Sequence, residues 1–241
     1  GRGDDAALFS ARASGYRKLY DPATGFLRGR DEQGALATGA FDPVCQCDDY
    51  REANAWQSLF AQHDIPGVAA LLGGKDAALG ALDELFQRAK AEEPTRRADG
   101  RLGDASPRNY YWHGNEPDIH VPYAFSQLGR PDLAAAWAEW ARATYYDDTA
   151  AGLPGNDDGG TMSAWYVFSA LGFYPLPGSD RYLLGAPAFP RAELQRPDGV
   201  FVIESRGAGP LLRITLDGQP VSELRHADLR GGRTLRFERS S

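Results

Sequence analysis

The chain has 241 residues, a formal net charge of −7 and a pI near 5.1. This length is sufficient for one good hydrophobic core and a small second module. Because the charge is negative and the lysines and arginines are scattered, the composition excludes a basic stripe for nucleic acid. No apolar run approaches about eighteen residues, so no membrane span is predicted. The N-terminus lacks both a Met and the apolar stretch of a signal peptide, so we expect a processed chain or a piece of a longer one.

Apolar residues up to about residue 177 recur with helical periodicity. The pattern is strongest in Asp76–Lys90, and Pro131–Tyr145 begins with a proline at a first-turn position. In the last predicted helix, Trp165 and Tyr166 fall within the apolar pattern and are predicted to pack in the core. The other predicted helices are Ala6–Tyr20, Glu52–His63, Asp118–Leu128 and Thr161–Leu171.

After Pro177 the pattern changes to short alternating segments bounded by turn residues, which is typical of strands. Asp217-Gly218 is a strong signal for a hairpin turn. Because a few such strands bury little on their own, we expect them to join another sheet or to pack on the helices. The predicted strands are Tyr182–Leu184, Ala192–Leu194, Val200–Glu204, Leu211–Leu216, Val221–Leu224 and Thr234–Phe237.

Two cysteines, Cys45 and Cys47, are separated by a single residue. Two ligands are too few for a structural zinc site. A disulfide across one residue is expected to be strained, so buried free thiols or a coincidence are the favoured interpretations.

Two segments combine glycines, aromatic rings and polar side chains. Residues 112–117 read Trp-His-Gly-Asn-Glu-Pro, and residues 155–160 read Gly-Asn-Asp-Asp-Gly-Gly. Glycines permit sharp turns and close approach to a ligand, and carboxylates and amides supply hydrogen bonds and hard oxygen ligands. This mixture is typical of carbohydrate-processing sites. The alternative is that the same residues serve as helix caps and turns.

Several blocks of the sequence resemble glycoside hydrolase family 92. They are residues 52–57 (Glu-Ala-Asn-Ala-Trp-Gln), 113–120, 152–175 and 214–218, in the family's order. Members are calcium-dependent exo-acting α-mannosidases that invert the anomeric configuration, and they are much longer than this chain. The resemblance covers about their last third.

The resemblance also implies a fold class and a division into domains. The fold would be mainly α, with residues 1–177 forming the C-terminal portion of an (α/α)6 catalytic toroid. Residues 178–241 would form a small antiparallel β segment that packs with an N-terminal β-sandwich missing here. That missing N-terminal domain of the same polypeptide is the expected protein partner.

The same resemblance assigns catalytic roles. Glu52 would be the general acid and Asp158 the general base, with Asp157 as the close alternative. Many members carry an acid at the position of Asn156. An inverting glycosidase needs two such carboxyl groups about 6.5–9.5 Å apart. The alternative for Glu52 is a helix-capping carboxylate, a role that Asp48 or Asp49 would fill equally well.

A calcium ion and a mannose-containing glycan are the implied cofactor and substrate. The cis O2 and O3 of mannose chelate one hard cation, which favours a flattened transition state. The candidate metal ligands are Gln57, Asn115 and Glu116, and the candidate substrate-binding residues are Trp56, His113 and Asn156. The alternative for Glu116 is a salt bridge to an arginine. The alternative for His113 and His120 is a hydrogen-bonded structural role.

Three functions fit these residues: an exo-α-mannosidase, a non-catalytic carbohydrate-binding relative, and an (α/α) toroid glycosidase that acts on another sugar without metal. Residues 118–120 read Asp-Ile-His where many members have Ser-His-His, so no linkage preference is carried over. The family implies a secreted or periplasmic location. Since half a toroid would expose apolar faces, we expect the isolated chain to be poorly stable and weakly active.

Overall fold

The computed structural model describes residues 2–47, 50, 52–92 and 110–241. These residues divide into two compact units. The first unit contains the described residues up to 92 together with 110–112, and the second contains residues 113–241.

The first unit is mainly helical. A 3₁₀ helix, Ser14–Leu19, leads into a two-stranded antiparallel hairpin of β1 (Tyr20–Asp21) and β2 (Phe26–Leu27). A buried stripe on the longest helix, which includes Leu82, Leu85 and Phe86, forms part of the core of this unit. The α-helices are α1 (Gly3–Ala13), α2 (Ala55–Ser58), α3 (Ile65–Leu71) and α4 (Lys75–Ala91).

Two helix predictions in this unit are wrong in extent. The predicted helix Ala6–Tyr20 is α-helical only to Ala13, where Gly15 and a 3₁₀ turn follow, because glycine has low helix propensity. The predicted helix Glu52–His63 is reduced to α2. Asp64 caps the next helix by accepting from the Gly67 N–H at 2.9 Å, and this places a second helix start that the periodicity did not indicate.

The expectation of free cysteines is also wrong. Cys45 and Cys47 form a disulfide, and the described residues contain no free cysteine. Their Cα atoms lie 5.3 Å apart, which is within the range that a disulfide bridges. The backbone conformation therefore permits a disulfide across a single intervening residue.

The second unit begins with three helices. Proline stands in the first turn of α5 (Val121–Gln127) and α6 (Pro131–Tyr145). Proline lacks a backbone N–H, and an N–H in the first turn has no hydrogen-bond partner within the helix, so proline costs no bond there. The third helix, α7 (Thr161–Leu171), ends at Gly172, whose left-handed backbone (φ +89°) terminates the helix. The bounds predicted for α6 and α7 are confirmed.

The strands of the second unit form two sheets. One sheet has the order β5-β6-β10-β7-β8 and the other has the order β3-β4-β9. Neighbouring strands are antiparallel except for β6 and β10, which are parallel. The predicted Asp217-Gly218 hairpin is confirmed between β7 and β8, with both residues at positive φ. The strands are β3 (Phe173–Pro175), β4 (Arg181–Leu184), β5 (Arg191–Arg196), β6 (Gly199–Arg206), β7 (Leu211–Leu216), β8 (Gln219–Pro220), β9 (Glu223–Arg225) and β10 (Thr234–Arg239).

These strands pack on the helices, as expected. Phe201, Ile203 and Phe237 are fully buried in one apolar cluster, which also takes in Ala135 of α6 and has Phe168 of α7 packed against it. The combination of helices with mostly antiparallel strands is confirmed. Among the described residues, no single helix has the length and apolar character to cross a membrane, although α3 and α4, bent by 101°, pass that test as a pair.

Candidate active site

The block at residues 52–57 surrounds the start of α2 in the first unit. The Asn54 side-chain oxygen accepts a 3.1 Å hydrogen bond from the backbone N–H of Gln57 and so caps the helix. Glu52 lies two residues before this cap and is exposed. The capping role that is the alternative for Glu52 is therefore filled by Asn54 in this helix. Asp48 and Asp49 lie outside the described residues.

The side chains that follow Glu52 turn into the interior of the first unit. Trp56 is buried, and its ring centroid lies 5.1 Å from that of Phe26 and 5.9 Å from that of Tyr110. The amide nitrogen of Gln57 donates a 2.7 Å hydrogen bond to the backbone carbonyl of Tyr110. This bond fixes the amide plane, so Oε1 is the side-chain atom of Gln57 with the chemistry to bind a hard cation.

Residues 113–117 form a turn in the second unit, named here the His113 loop. The backbone N–H of Asp118 donates to the carbonyl of Asn115 at 3.0 Å and closes the turn. Glu116 Oε1 is buried and has no hydrogen-bond partner among the described residues. Glu116 forms no ion pair with any described residue, so the salt bridge proposed as its alternative is not formed there. A buried carboxylate oxygen without a donor is destabilising unless a ligand or cation satisfies it.

His113 itself is fully buried in an aromatic cluster. Its ring centroid lies 4.0 Å from that of Trp165, and its Nε2 lies 2.9 Å from the Tyr146 hydroxyl. Burial lowers the pKa of His113 from 6.5 to about 3, so the imidazole is neutral at physiological pH. His120 is also buried. Both histidines are buried, as the alternative of a hydrogen-bonded structural role requires. Sugar contact by His113 stays a prediction.

The second motif, residues 155–160, precedes α7 and is named here the Asp158 loop. Asp157 accepts hydrogen bonds of 2.8 Å from both the backbone N–H and the hydroxyl of Ser163, and these bonds lower the pKa of its carboxyl group. Asp158 is exposed at φ +39°, and its backbone carbonyl accepts from the Thr161 hydroxyl at 2.9 Å. Its carboxylate has no hydrogen bond or ion pair within the described part of the chain. The two adjacent acids therefore differ in environment.

The His113 loop and the Asp158 loop meet at two glycines. A Cβ atom added to Gly155 would lie 2.3 Å from the carbonyl oxygen of Gly114, so only glycine permits this approach. Asn156 follows the contact and is exposed. The fold thus brings together two of the three motifs that contain the predicted site residues. The third motif, at residues 52–57, belongs to the other unit.

A cavity of about 470 Å³ lies at the outer face of α7. Tyr166 and Val167 are 37% and 55% exposed at this face, so the prediction of core packing is wrong for Tyr166. The prediction is confirmed for Trp165, which is buried and donates from Nε1 to the Ile119 carbonyl at 2.7 Å. The cavity is lined by Arg142, Tyr146, Asp147, Asp148, Leu153, Ser163, Tyr166 and Val167.

Sequence reasoning missed Tyr146 and Ser163. Both contact the predicted site residues. Ser163 lies within the block 152–175 but received no predicted role, and Tyr146 lies outside every marked block. Tyr146 and His113 are 33 residues apart in the sequence, so only the fold reveals their contact. In the described ranges, no three His, Cys, Asp or Glu side chains cluster as metal ligands. A cation site would thus need amide or carbonyl oxygens, or oxygens of a bound ligand, in addition to a carboxylate.

Comparison with protein families gives a match along the whole chain. Residues 1–241 match the model of the glycosyl hydrolase family 92 catalytic domain. Among curated proteins, the chain is 29% identical over 147 residues to an uncharacterized secreted glycosidase of Arthroderma benhamiae, covering 61% of this chain and 16% of that protein.

Solved structures with the same fold come from Bacteroides thetaiotaomicron. The family GH92 α-mannosidase BT3965 is 33% identical with a TM-score of 0.81, covering 100% of this chain and 31% of that one. Its complex with mannoimidazole is 30% identical with a TM-score of 0.83, covering 99% and 33%. The family GH92 inverting mannosidase BT2199 is 28% identical with a TM-score of 0.80, covering 98% and 34%. The chain therefore spans about a third of the length of these structures.

Proposed function

The chain belongs to glycosyl hydrolase family 92, and we propose that it is part of an enzyme that removes terminal α-linked mannose from glycans with inversion. The observation that carries the proposal is the junction of the two loops at Gly155 and Gly114, which brings the loop that contains the exposed Asp158 against the loop that contains Asn115 and Glu116. The solved relatives, described as α-mannosidases and in one case as an inverting mannosidase, support the same reaction.

The general base of this reaction is Asp158. A base must hold a water molecule, and the Asp158 carboxylate is exposed with no hydrogen bond to another described residue. Asp157 accepts two hydrogen bonds from Ser163 at the start of α7, which are the contacts of a helix-capping carboxylate. These contacts support Asp158 as the base and Asp157 as the residue that fixes the loop.

The general acid is Glu52. Protonation of the leaving oxygen requires a carboxyl group that the substrate reaches, and Glu52 is exposed while the residues after it are buried. The cap of α2 is supplied by Asn54, so the proposed role of Glu52 does not compete with a capping role in that helix. On this assignment the acid and the base act on opposite faces of the mannose ring.

Ca²⁺ is the proposed cofactor, and the donor chemistry fits it in part. Glu116 Oε1 is a buried hard oxygen to which no described residue donates a hydrogen bond, and a cation would satisfy it. Asn115, next to it, and Gln57, whose amide is oriented by Tyr110, are the other proposed ligands. When bound, Ca²⁺ would supply positive charge for the cis hydroxyls of mannose.

The proposed substrate-binding residues divide by exposure. Asn156 is exposed next to the loop junction, and we assign it a hydrogen bond to a sugar hydroxyl. Trp56 and His113 are buried beside Gln57 and Gly114 respectively, and we propose that they hold those segments in addition to their proposed contact with the sugar. The complete toroid and the N-terminal β-sandwich domain of the same polypeptide belong to the proposal, because the solved relatives are about three times as long.

The test measures mannose release by the longer polypeptide that contains these residues. Substrates are an aryl α-mannoside with an activated leaving group and unactivated α-linked mannobioses, each with Ca²⁺ and with a chelator. Asp158→Asn should lower kcat about 10²- to 10⁴-fold on both substrate types, because the attacking water loses its base. Glu52→Gln should cost much less on the activated aryl mannoside than on the mannobioses, because a good leaving group needs little protonation.

Asp157→Asn is the matched control for the base. It should reduce thermal stability and lower kcat less than Asp158→Asn does. If Asp157→Asn is the more severe variant, the two roles are exchanged. Release that persists undiminished with chelator argues for a metal-independent toroid glycosidase. An intact fold that releases no mannose from any linkage argues for a carbohydrate-binding relative.

An extracytoplasmic location is also part of the proposal. A relative that matches over 147 residues is named a secreted glycosidase. The Cys45–Cys47 disulfide adds support from this chain itself, because disulfides persist mainly in oxidising compartments.

A further inference from the structure

A chain of hydrogen bonds runs beneath the two loops of the proposed site. Tyr146 immediately follows α6 and is buried, and its ring stacks on Trp165 at 5.7 Å with an interplanar angle of 5°. Its hydroxyl donates to the backbone carbonyl of Met162 at 3.1 Å. Since the phenol has one hydrogen, the Nε2 of His113, 2.9 Å away, is the donor to the Tyr146 oxygen.

The Met162 carbonyl and the Ser163 N–H belong to the same peptide group. The carbonyl end of this group accepts from Tyr146, and its N–H end donates to Asp157 Oδ1 at 2.8 Å. Each bond polarises the peptide in the sense that strengthens the other. The Ser163 hydroxyl holds the second oxygen of Asp157 at 2.8 Å. The carboxylate of Asp157 is thus linked through one peptide group to Tyr146 and on to His113.

Tyr146 therefore contacts residues that anchor both loops. On one side it holds His113, the first residue of the His113 loop. On the other side it holds the first turn of α7, to which Asp157 ties the Asp158 loop. The backbone contact of Gly155 with Gly114 requires both loops to keep their places. Burial raises the pKa of the Tyr146 phenol, and the nearby Asp157 charge raises it further, so the hydroxyl keeps its hydrogen.

We propose that Tyr146 is a positioning residue for the proposed hydrolysis: its hydroxyl sets the orientation of the Asp157–Asp158 pair relative to the His113 loop. This role rests on the proposed function. Removing the hydroxyl leaves His113 and the Met162 carbonyl without their shared partner and releases one end of the peptide that orients Asp157. In this proposal Tyr146 acts through Asp158 rather than by contact with the substrate or the attacking water.

Tyr146→Phe in the longer polypeptide is the test, with Tyr123→Phe as the matched control. Tyr123 is a fully buried tyrosine of the same unit that stacks on Tyr174 at 4.8 Å and bonds to neither loop. We expect Tyr146→Phe to lower kcat for aryl α-mannoside about 10- to 100-fold, with KM changed by less than about threefold. Tyr123→Phe should leave kcat within about twofold of wild type.

A double-mutant cycle separates positioning from a general loss of structure. In the Asp158→Asn background, Tyr146→Phe should have almost no further effect on kcat, because the group it positions is already absent. Equal kcat for Tyr146→Phe and Tyr123→Phe, or full additivity with Asp158→Asn, overturns the positioning role while leaving the mannosidase proposal intact. A wild-type enzyme that releases no mannose overturns both.

Discussion

At the scale of single residues, His113 makes the stability of the second unit depend on pH. Burial lowers its folded-state pKa to about 3, against 6.5 for an accessible histidine. Between these values the unfolded chain binds the proton that the folded chain excludes, so unfolding becomes easier as the pH falls. The contribution of His113 is complete above pH 6.5 and is lost as the pH falls from there toward 3. The slope is up to about 1.4 kcal/mol per pH unit.

Urea unfolding of wild type and His113→Gln between about pH 4.5 and 6.5 checks this dependence, since most carboxyl groups remain ionised there. Gln keeps a donor for Tyr146 but does not titrate. The wild type should show the larger loss of unfolding free energy with acidification, and the variant should show a flatter profile. Parallel profiles would mean that the imidazole is protonated without leaving its site.

The residue-scale contacts also show what the sequence could reveal. The blocks that contain Glu52, Glu116 and Asp158 were identified from their residue types and from a family resemblance. The sequence did not distinguish Asp157 from Asp158, because that difference depends on two hydrogen bonds from Ser163. Nor did it find Tyr146, whose importance comes from contacts with His113 and Met162 rather than from its neighbours in sequence.

At the scale of elements, prediction succeeded where local chemistry was unambiguous. The start of α6 follows from Pro131 and the end of α7 follows from Gly172, each through its own backbone preferences. The prediction of one helix at Glu52–His63 was wrong because Asn54 and Asp64 cap two separate short helices within one apolar stretch. Hydrogen bonds from side chains to the backbone decide where such short helices begin, and the periodicity of apolar residues carries no information about these bonds.

The junction of the two loops gives an element-scale prediction. Gly155→Ala adds a methyl group that would lie 2.3 Å from the Gly114 carbonyl, in addition to the strain of φ +61°. Gly159→Ala, in the same loop at φ +72°, meets no atom within 4 Å and has the backbone strain alone. We expect Gly159→Ala to lower the unfolding free energy by about 1 kcal/mol and Gly155→Ala by more than about 2 kcal/mol.

Differential scanning calorimetry and mannose release on both glycine variants measure the two consequences together. Gly155→Ala should also reduce kcat about tenfold or more, because the methyl group forces the loops apart. Equal destabilisation by the two substitutions would show that the loops part at little cost, and the junction would then lose its place in the proposed function.

At the scale of the whole molecule, the pairing of the last strand was not predictable. Strand β10 lies between β6 and β7, parallel to the first and antiparallel to the second. Alternation along Thr234–Phe237 indicated a strand but carried no information about its neighbours, which depend on contacts between distant residues. Phe237 and Phe201 are both fully buried in the same cluster, so burial of apolar surface favours the observed order.

Unequal burial among the helices predicts unequal stability along the chain. No residue of α1 is buried, and Leu8 and Phe9 are 48% and 59% exposed, whereas α6 buries a continuous face that includes Trp137 and Ala141. In native-state hydrogen exchange of the 241-residue chain, the amides of α1 should therefore exchange almost without protection. The amides of α6 should exchange with a free energy close to that of global unfolding.

The same measurement on the longer polypeptide tests the expectation that the isolated chain is poorly stable. The apolar side chains of α1 would be covered there if residues 1–177 complete a toroid, and α1 should then gain protection by about a hundredfold or more, as for a helix with a packed face. The amides of α6 should change less, since that face is already buried within residues 113–241. Unchanged exchange of α1 in the longer polypeptide would contradict the toroid assignment for this end of the chain, because a packed helix cannot exchange like an exposed one.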